Sequence, residues 1–323
     1  MSERRELRSA LVLGGAGFFG RWIIQALRED GVEVVSLDRS PRERLRAAGV
    51  ESVQGEIAGS DHVLRELLAD RGFDLVVQVV GTGSVPRSLE NPLGDLASNA
   101  TTTLTVLEAL AELRSPPLLV HGSSAAVYGD SVRLPMDEDH PLAPVSPYGI
   151  SKLAAEHYVR LYARLHGLAA LSVRPFSLYG PGQRKLVIYD LLTRIEAGED
   201  PLVVHGRPDV RRDLVFAPDA GRCLVALARG APANGEPYNL SSGRAIALGD
   251  LVAAIVAATG HDTEVQFTGD LRPGDPLHWE GDARRAAQLG AAVTTALSDG
   301  LEQTVAWFRA EREPGGVGAG GAT

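Results

Sequence analysis

The 323-residue sequence holds one cysteine, Cys223, so neither a disulfide nor a cysteine-based zinc site can form within one chain. A reducing compartment fits that scarcity. Basic residues are in deficit: 32 Lys and Arg stand against 41 Asp and Glu, a net charge of -9 that lacks the footprint of a nucleic-acid binder. A few local arginines can still grip an anionic ligand. Long apolar runs are missing too. The first, from Leu11, is broken by glycines and Arg21, its polar start is unlike a secretory leader, and no run is long enough to cross a bilayer. These absences predict a cytoplasmic protein that binds no membrane and no nucleic acid. None of the eight histidines pairs with a carboxylate at a metal-ligand spacing, so no metal is expected.

What is present is the composition of a folded chain, with 44% hydrophobic and 23% charged residues. Short β-branched runs at 10–13, 33–37, 52–54, 75–79, 118–121 and 171–174 alternate with helical patterns, which predicts an α/β fold built on a doubly wound parallel sheet. After Arg174 prolines punctuate the chain and the pattern loosens, marking a second, smaller lobe with helical spacing at 248–259 and 297–309. The glycine-rich end, 314–323, reads as a mobile tail.

The first strand runs into Gly14-Gly15-Ala16-Gly17-Phe18-Phe19-Gly20, followed by a helical pattern. Glycines at this spacing let the chain turn tightly, bring its backbone against a pyrophosphate and pack the helix closely on the strand. The helix N-terminus then offers free N–H groups to the phosphates. Glycine-rich turns also occur without a ligand, so the context matters. Asp38, 18 residues after Gly20 at the end of the second strand, can accept hydrogen bonds from ribose hydroxyls and would repel a 2′-phosphate, which favours NAD over NADP. Arg39 follows and offsets part of that repulsion; a solvated turn is the other reading of Asp38.

Tyr148 and Lys152 fall one helical turn apart in Tyr148-Gly149-Ile150-Ser151-Lys152. A phenol, with a pKa of about 10, is a poor base at neutral pH, but a neighbouring ammonium and an oxidised nicotinamide both favour phenolate. Ser123-Ser124-Ala125-Ala126-Val127-Tyr128-Gly129 after the fifth strand adds a hydroxyl. With Ser84-Val85-Pro86-Arg87-Ser88, Asn91-Pro92, Asn99, Arg174-Pro175-Phe176, Tyr179-Gly180-Pro181-Gly182, Arg212-Asp213 and Arg272-Pro273-Gly274-Asp275, the chain resembles the extended short-chain dehydrogenase/reductases, the NAD-dependent nucleotide-sugar epimerases and dehydratases, over nearly its whole length.

That resemblance implies a Rossmann domain over 9–174 with a returning segment near 209–240, a substrate-binding lobe from 175–208 and 241–312, and a flexible tail at 313–323. It makes Ser124, Tyr148 and Lys152 the catalytic group. Gly14, Gly17, Phe18, Phe19, Gly20, Asp38, Arg39, Glu56, Ile57, Val80, Gly81, Asn99, Tyr148, Lys152 and Phe176 would line the NAD site. Ser84, Ser124, Ser177, Arg212 and Arg272 would meet a nucleotide-diphosphate sugar, the guanidinium forks suiting phosphate oxygens. The helical stretches 96–113 and 148–166 would build a homodimer interface.

Dehydratases of this family carry an acidic pair directly after the catalytic hydroxyl residue, and here those positions are Ala125 and Ala126. Chemistry needing only hydride transfer and a proton relay remains. In a 4-epimerase the cofactor ends unchanged; in a 4-keto-sugar reductase NAD(P)H is consumed. Asp38 leans toward retained NAD and epimerisation, and Arg39 leaves room for the reductase. A regulator without catalysis would be expected to lack Tyr148 or Lys152. Departures from the family are Gln78-Val79-Val80-Gly81 in the strand entering the pocket, Leu13, Glu56, Ser177 and Ala217-Pro218, and they leave the nucleotide and sugar open. Gln78 is expected to satisfy backbone groups beneath the pocket, His121 to be a core residue, and the acidic run Asp137-Glu138-Asp139 to be a solvated loop.

Overall fold

The computed structural model describes residues 4–39, 45, 49–58, 60–270 and 276–312. Among them, seven strands form a parallel sheet: β1 (Ser9–Leu13), β2 (Glu33–Asp38), β3 (Glu51–Gln54), β4 (Leu75–Gln78), β5 (Leu118–Gly122), β6 (Ala170–Pro175) and β10 (Asn234–Leu240), in the order β10-β6-β5-β4-β1-β2-β3. Central strands such as β1 and β5 are buried on both faces, which is why they read as continuous apolar runs rather than alternating ones. The α/β class and doubly wound sheet read from the sequence are borne out.

Helices cover both faces of the sheet and build the smaller lobe. They are α1 (Phe18–Glu29), α2 (His62–Asp70), α3 (Val85–Glu90), α4 (Pro92–Leu96), α5 (Thr102–Ala111), α6 (Pro147–His166), α7 (Leu186–Ile195), α8 (Ala217–Gly230), α9 (Leu248–Thr259), α10 (Arg284–Ala287) and α11 (Leu297–Ala310). One buried face joins Val12, Val77, Val120 and Val173 to α1 and α8; the other joins Leu11, Val76 and Leu119 to α2, α5 and α6. Among the described residues no helix is long and apolar enough to cross a membrane.

Two small sheets form the lobe. β7 (Ser177–Tyr179), β9 (Arg211–Phe216) and β11 (Ala245–Ala247) make one, and β8 (Leu202–Val204) with β12 (Val265–Phe267) the other. They pack with α7, α9 and α11 around a third core that includes Ile188, Phe216, Ile255 and Phe308. Of the segment 209–240, therefore, β9 pairs within the lobe, and α8 and β10 return to the large sheet.

The sequence pattern marked six strands, and β10 is the seventh. Its Gly235 and Pro237 spoil a strand pattern, and the register shifts between Asn234 and Pro237. Proline lacks an N–H to donate, so it suits the sheet edge that β10 occupies. β1 pairs with β2 on one side and β4 on the other, so the chain changes direction across the sheet at β1. The crevice beyond the carboxyl ends of strands at such a point is where ligands bind in open α/β sheets.

Candidate active site

The glycine loop leaves β1 at that crevice. Gly14 takes φ +91° and lies against the next strand end, where a Cβ would stand 3.0 Å from the Val80 nitrogen. Gly17 is the N-cap of α1 and provides no side-chain cap, so the first-turn N–H groups, beginning at Phe18 and Phe19, are left uncapped where α1 starts. Gly20 is fixed by packing, because a Cβ there would fall 2.2 Å from the Gly14 carbonyl oxygen and 2.7 Å from the Gly15 Cα.

Asp38 closes β2 with its carboxylate turned to this loop, accepting from the Ala16 N–H at 3.0 Å and the Ser36 hydroxyl at 2.5 Å. Arg39 is exposed, and its carbonyl accepts from Gln54 Nε2 at 3.0 Å. After β3, Glu56 is exposed and Ile57 buried. Gly81 takes φ +144°, and a Cβ there would lie 2.2 Å from Asn99 Oδ1. Asn99 is buried in a π-helical turn, Ala97–Thr101. Its Nδ2 donates to Thr82 Oγ1 (3.2 Å), Asp95 Oδ1 (3.1 Å) and Ser151 Oγ (3.0 Å), while its Oδ1 is buried without a protein partner. A glycine cradle, an uncapped helix start, an inward carboxylate and an orphan acceptor fit a dinucleotide.

Ser146 starts α6 by accepting from the Gly149 N–H at 3.2 Å, with Pro147 at the first helical position. The first turn carries Tyr148, and Lys152 follows one turn later. Ser124 caps a short 3-10 turn, accepting from the Ala126 N–H at 3.1 Å, and its hydroxyl neighbours the Tyr148 phenol. Burial pushes the Tyr148 phenol above its ordinary range; the Ser124 hydroxyl works against that shift and the charge of Asp95 adds to it. Lys152 is buried, and its Nζ donates to the Gly122 carbonyl at 2.8 Å. Burial pulls it down to about 8, against the opposing field of Asp95. The structure thus brings Ser124, Tyr148, Lys152 and Asn99 together.

On the lobe side, Phe176 is buried with its ring 6.2 Å from that of Tyr128 and edge-on to Trp279 at 6.3 Å. Trp279 Nε1 donates to the Gly129 carbonyl at 2.8 Å, tying the lobe to the sheet. Arg212 on β9 lies over the Trp279 ring, 5.7 Å from its centre. Ser177 opens β7 half-buried, and Ser84 caps α3 by accepting from the Arg87 N–H at 3.4 Å. Arg272 lies outside the described residues.

Residues 10–241 match the NAD dependent epimerase/dehydratase family. The chain belongs to that family. It is 32% identical to the UDP-glucose 4-epimerase of Mycolicibacterium smegmatis, over 93% of this chain and 98% of that one. It also resembles the crystal structure of the Thermotoga maritima UDP-glucose 4-epimerase with UDP-glucose, with a TM-score of 0.86, 26% identity, and 93% and 98% of the two chains covered. The UDP-glucuronic acid 4-epimerase of Bacillus cereus, in complex with UDP-glucuronic acid and NAD, gives 0.84 at 25% identity, covering 93% and 99%.

Within this epimerase-family site, the sequence reading gave no role to Asp95, Ser151 or Thr82. Asp95 is buried four residues before Asn99 and Ser151 adjoins Lys152, so helical spacing could have placed both beside the site. Gln78 behaves as expected, with Nε2 donating to the Val80 carbonyl at 3.1 Å, and it also meets His121 Nδ1 at 2.7 Å through Oε1. His121 is fully buried, and burial, with the Lys152 charge, drives its pKa well below the usual histidine range. The acidic run is not simply solvated. Glu138 is half-buried, its Oε1 accepting from the Asn239 N–H at 2.8 Å and its carbonyl from Arg174 at 3.1 Å, and burial raises its carboxyl.

Proposed function

We propose that this enzyme is a nucleotide-sugar 4-epimerase that keeps NAD through its cycle and takes a UDP-hexose or a near relative as substrate. The observation that carries the reading is the joining of Ser124, Tyr148 and Lys152 beside the glycine cradle, with buried Ala125 and Ala126 where an eliminating enzyme needs an acid. The named activities of the relatives support the same reaction and favour it over the keto-sugar reductase.

Bound NAD supplies reversible hydride acceptance at the sugar C4. Gly14, Gly17, Phe18, Phe19, Gly20, Asp38, Arg39, Glu56, Ile57, Val80, Gly81, Asn99 and Phe176 are the residues proposed to hold it, with Tyr148 and Lys152 at its reactive end. Tyr148 takes the proton from the C4 hydroxyl as the sugar is oxidised and gives it back after the 4-keto sugar has presented its other face. Ser124 hydrogen-bonds the same oxygen and fixes its position, and the Lys152 ammonium favours the phenolate. Arg212 and Arg272 grip the diphosphate, with Ser84 and Ser177 beside the sugar nucleotide. The proposed working form is a cytoplasmic homodimer.

Proton NMR of the purified protein with UDP-glucose or UDP-galactose, and no added cofactor, tests the proposal. Appearance of the C4 epimer is expected. Unchanged sugars, together with consumption of NADH or NADPH on a 4-keto sugar, would replace it with the reductase.

A further inference from the structure

Asp95 on α4 is only 4% exposed, yet among the described residues it forms no ion pair. Its Oδ2 accepts from Ser151 Oγ at 2.5 Å, and its Oδ1 from Asn99 Nδ2 at 3.1 Å and from Thr82 Oγ1. All three donors are neutral, so they fix the carboxylate in place without cancelling its charge. A charge removed from water is costly unless something balances it. The cation that shares its field is Lys152, the residue after Ser151, and Lys152 in turn donates to a neutral carbonyl.

We propose that Asp95 is a positioning residue for the Tyr148–Lys152 pair, supplying the buried negative charge that balances the Lys152 ammonium and, through Asn99 and Ser151, locking the cofactor-side turn to the catalytic turn. The role rests on Tyr148 being the base. Asp95 is bonded to Ser151, the residue beside Lys152 and three residues after Tyr148, and from there its charge opposes ionisation of Tyr148 as well as loss of the Lys152 proton. The other titratable groups nearby leave this balance to it. His121 on β5 is held neutral by burial, and Glu156 on α6 is paired with Arg174 at 2.5 Å. Arg87 and Glu90 on α3 and Glu108 on α5 are exposed to solvent.

Asp95→Asn keeps the shape and removes the charge, so Tyr148 should ionise, and Lys152 lose its proton, at lower pH. The test is ultraviolet titration of tyrosinate in the NAD-loaded protein, with the Tyr148→Phe titration subtracted. Asp95→Asn is expected to move the Tyr148 midpoint to lower pH, while Ser151→Ala, which deletes the 2.5 Å bond and keeps the charge, leaves it at the wild-type position. An unmoved midpoint in Asp95→Asn, or an equal shift in Ser151→Ala, overturns the proposal. If circular dichroism shows Asp95→Asn unfolded, Asp95→Ser goes through the same titration and is read the same way. The pH profile of UDP-sugar turnover gives a second readout, expected to move in the same direction. The titration needs no substrate, so a protein that turns over no sugar refutes the catalytic reading while the absorbance still decides the role of Asp95.

Discussion

The Lys152 ammonium donates to the backbone carbonyl of Gly122, 2.8 Å away at the end of β5. That bond holds a charge in a buried place, and burial pulls the group down to about 8. Below that value Lys152 is charged and favours the Tyr148 phenolate; above it the charge is lost. Turnover is therefore expected to fall as pH rises through about 8, the protonated form being the active one. A pH profile of kcat from 6 to 10 checks it, and Lys152→Gln should lose that alkaline limb along with about 100-fold or more of the rate.

Tyr148→Phe removes the hydroxyl and leaves the ring that α6 places beside Ser124. Proton transfer by a positioned side chain contributes about 10²- to 10⁴-fold, so kcat should drop by that factor. Cofactor affinity should stay near the wild-type value, because the glycine loop and Asp38 are untouched. Fluorescence titration with NADH beside the epimerisation assay separates the two, and retained turnover would remove Tyr148 from its role as base.

Much of the site was legible because its signals are local. Gly14 to Gly20 declare a turn and a helix start within seven residues, and Tyr148 and Lys152 declare one helical turn. β10 was not legible as a strand, because Gly235 and Pro237 suit only a sheet edge, and the edge exists only once β6 is in place. Asp95 offered only its four-residue spacing from Asn99. Its partners Thr82, Asn99 and Ser151 come from three separate segments, and only packing of α4 against α6 makes its burial visible. Glu138 looked solvated within its acidic run, yet the Asn239 N–H a hundred residues away reaches it.

Gly20→Ala is expected to damage the cofactor cradle directly. The added methyl would meet the Gly14 carbonyl and the Gly15 Cα, which are backbone atoms and cannot rotate aside. Relief requires α1 to move off β1, which shifts the uncapped N–H groups at its start. Isothermal titration should show NAD affinity lower by at least about tenfold, an energy of about 1.4 kcal/mol. Unchanged affinity would mean that the loop does not contact the pyrophosphate.

Asp213, next to Arg212 on β9, collects four donors: the Ser242 N–H and hydroxyl on Oδ1, each at 2.7 Å, and the N–H groups of Gly243 (3.0 Å) and Gly281 (3.2 Å) on Oδ2. Burial still raises its carboxyl to about 6, against the pull of those bonds. In Asp213→Asn the amide nitrogen must face at least one backbone N–H in either orientation, so a buried donor loses its partner. The cost should be about 2 kcal/mol of stability, read by denaturant unfolding. Because the same carboxylate ties β9 to residues 242, 243 and 281, KM for the nucleotide sugar should rise more than kcat falls.

The proposed dimer, which the resemblance put on the stretches 96–113 and 148–166, is supported by apolar side chains left in solvent on α6 and on α3 and α4 beside it. Leu93 on α4 is 80% exposed, and Leu89, Leu96, Ile150, Tyr158 and Leu165 are exposed on α3, α4 and α6. Helices α3 and α4 both pack on α6. Burying such a surface against a second copy stabilises it by about 25 cal/mol per Å². A charge in the middle of it would have to be desolvated without a partner. Leu93→Glu should therefore shift the sedimenting species from twice the 34.2 kDa chain mass toward the chain mass itself, with the circular dichroism spectrum unchanged. A wild-type protein that sediments as a monomer across the micromolar range would overturn the dimer.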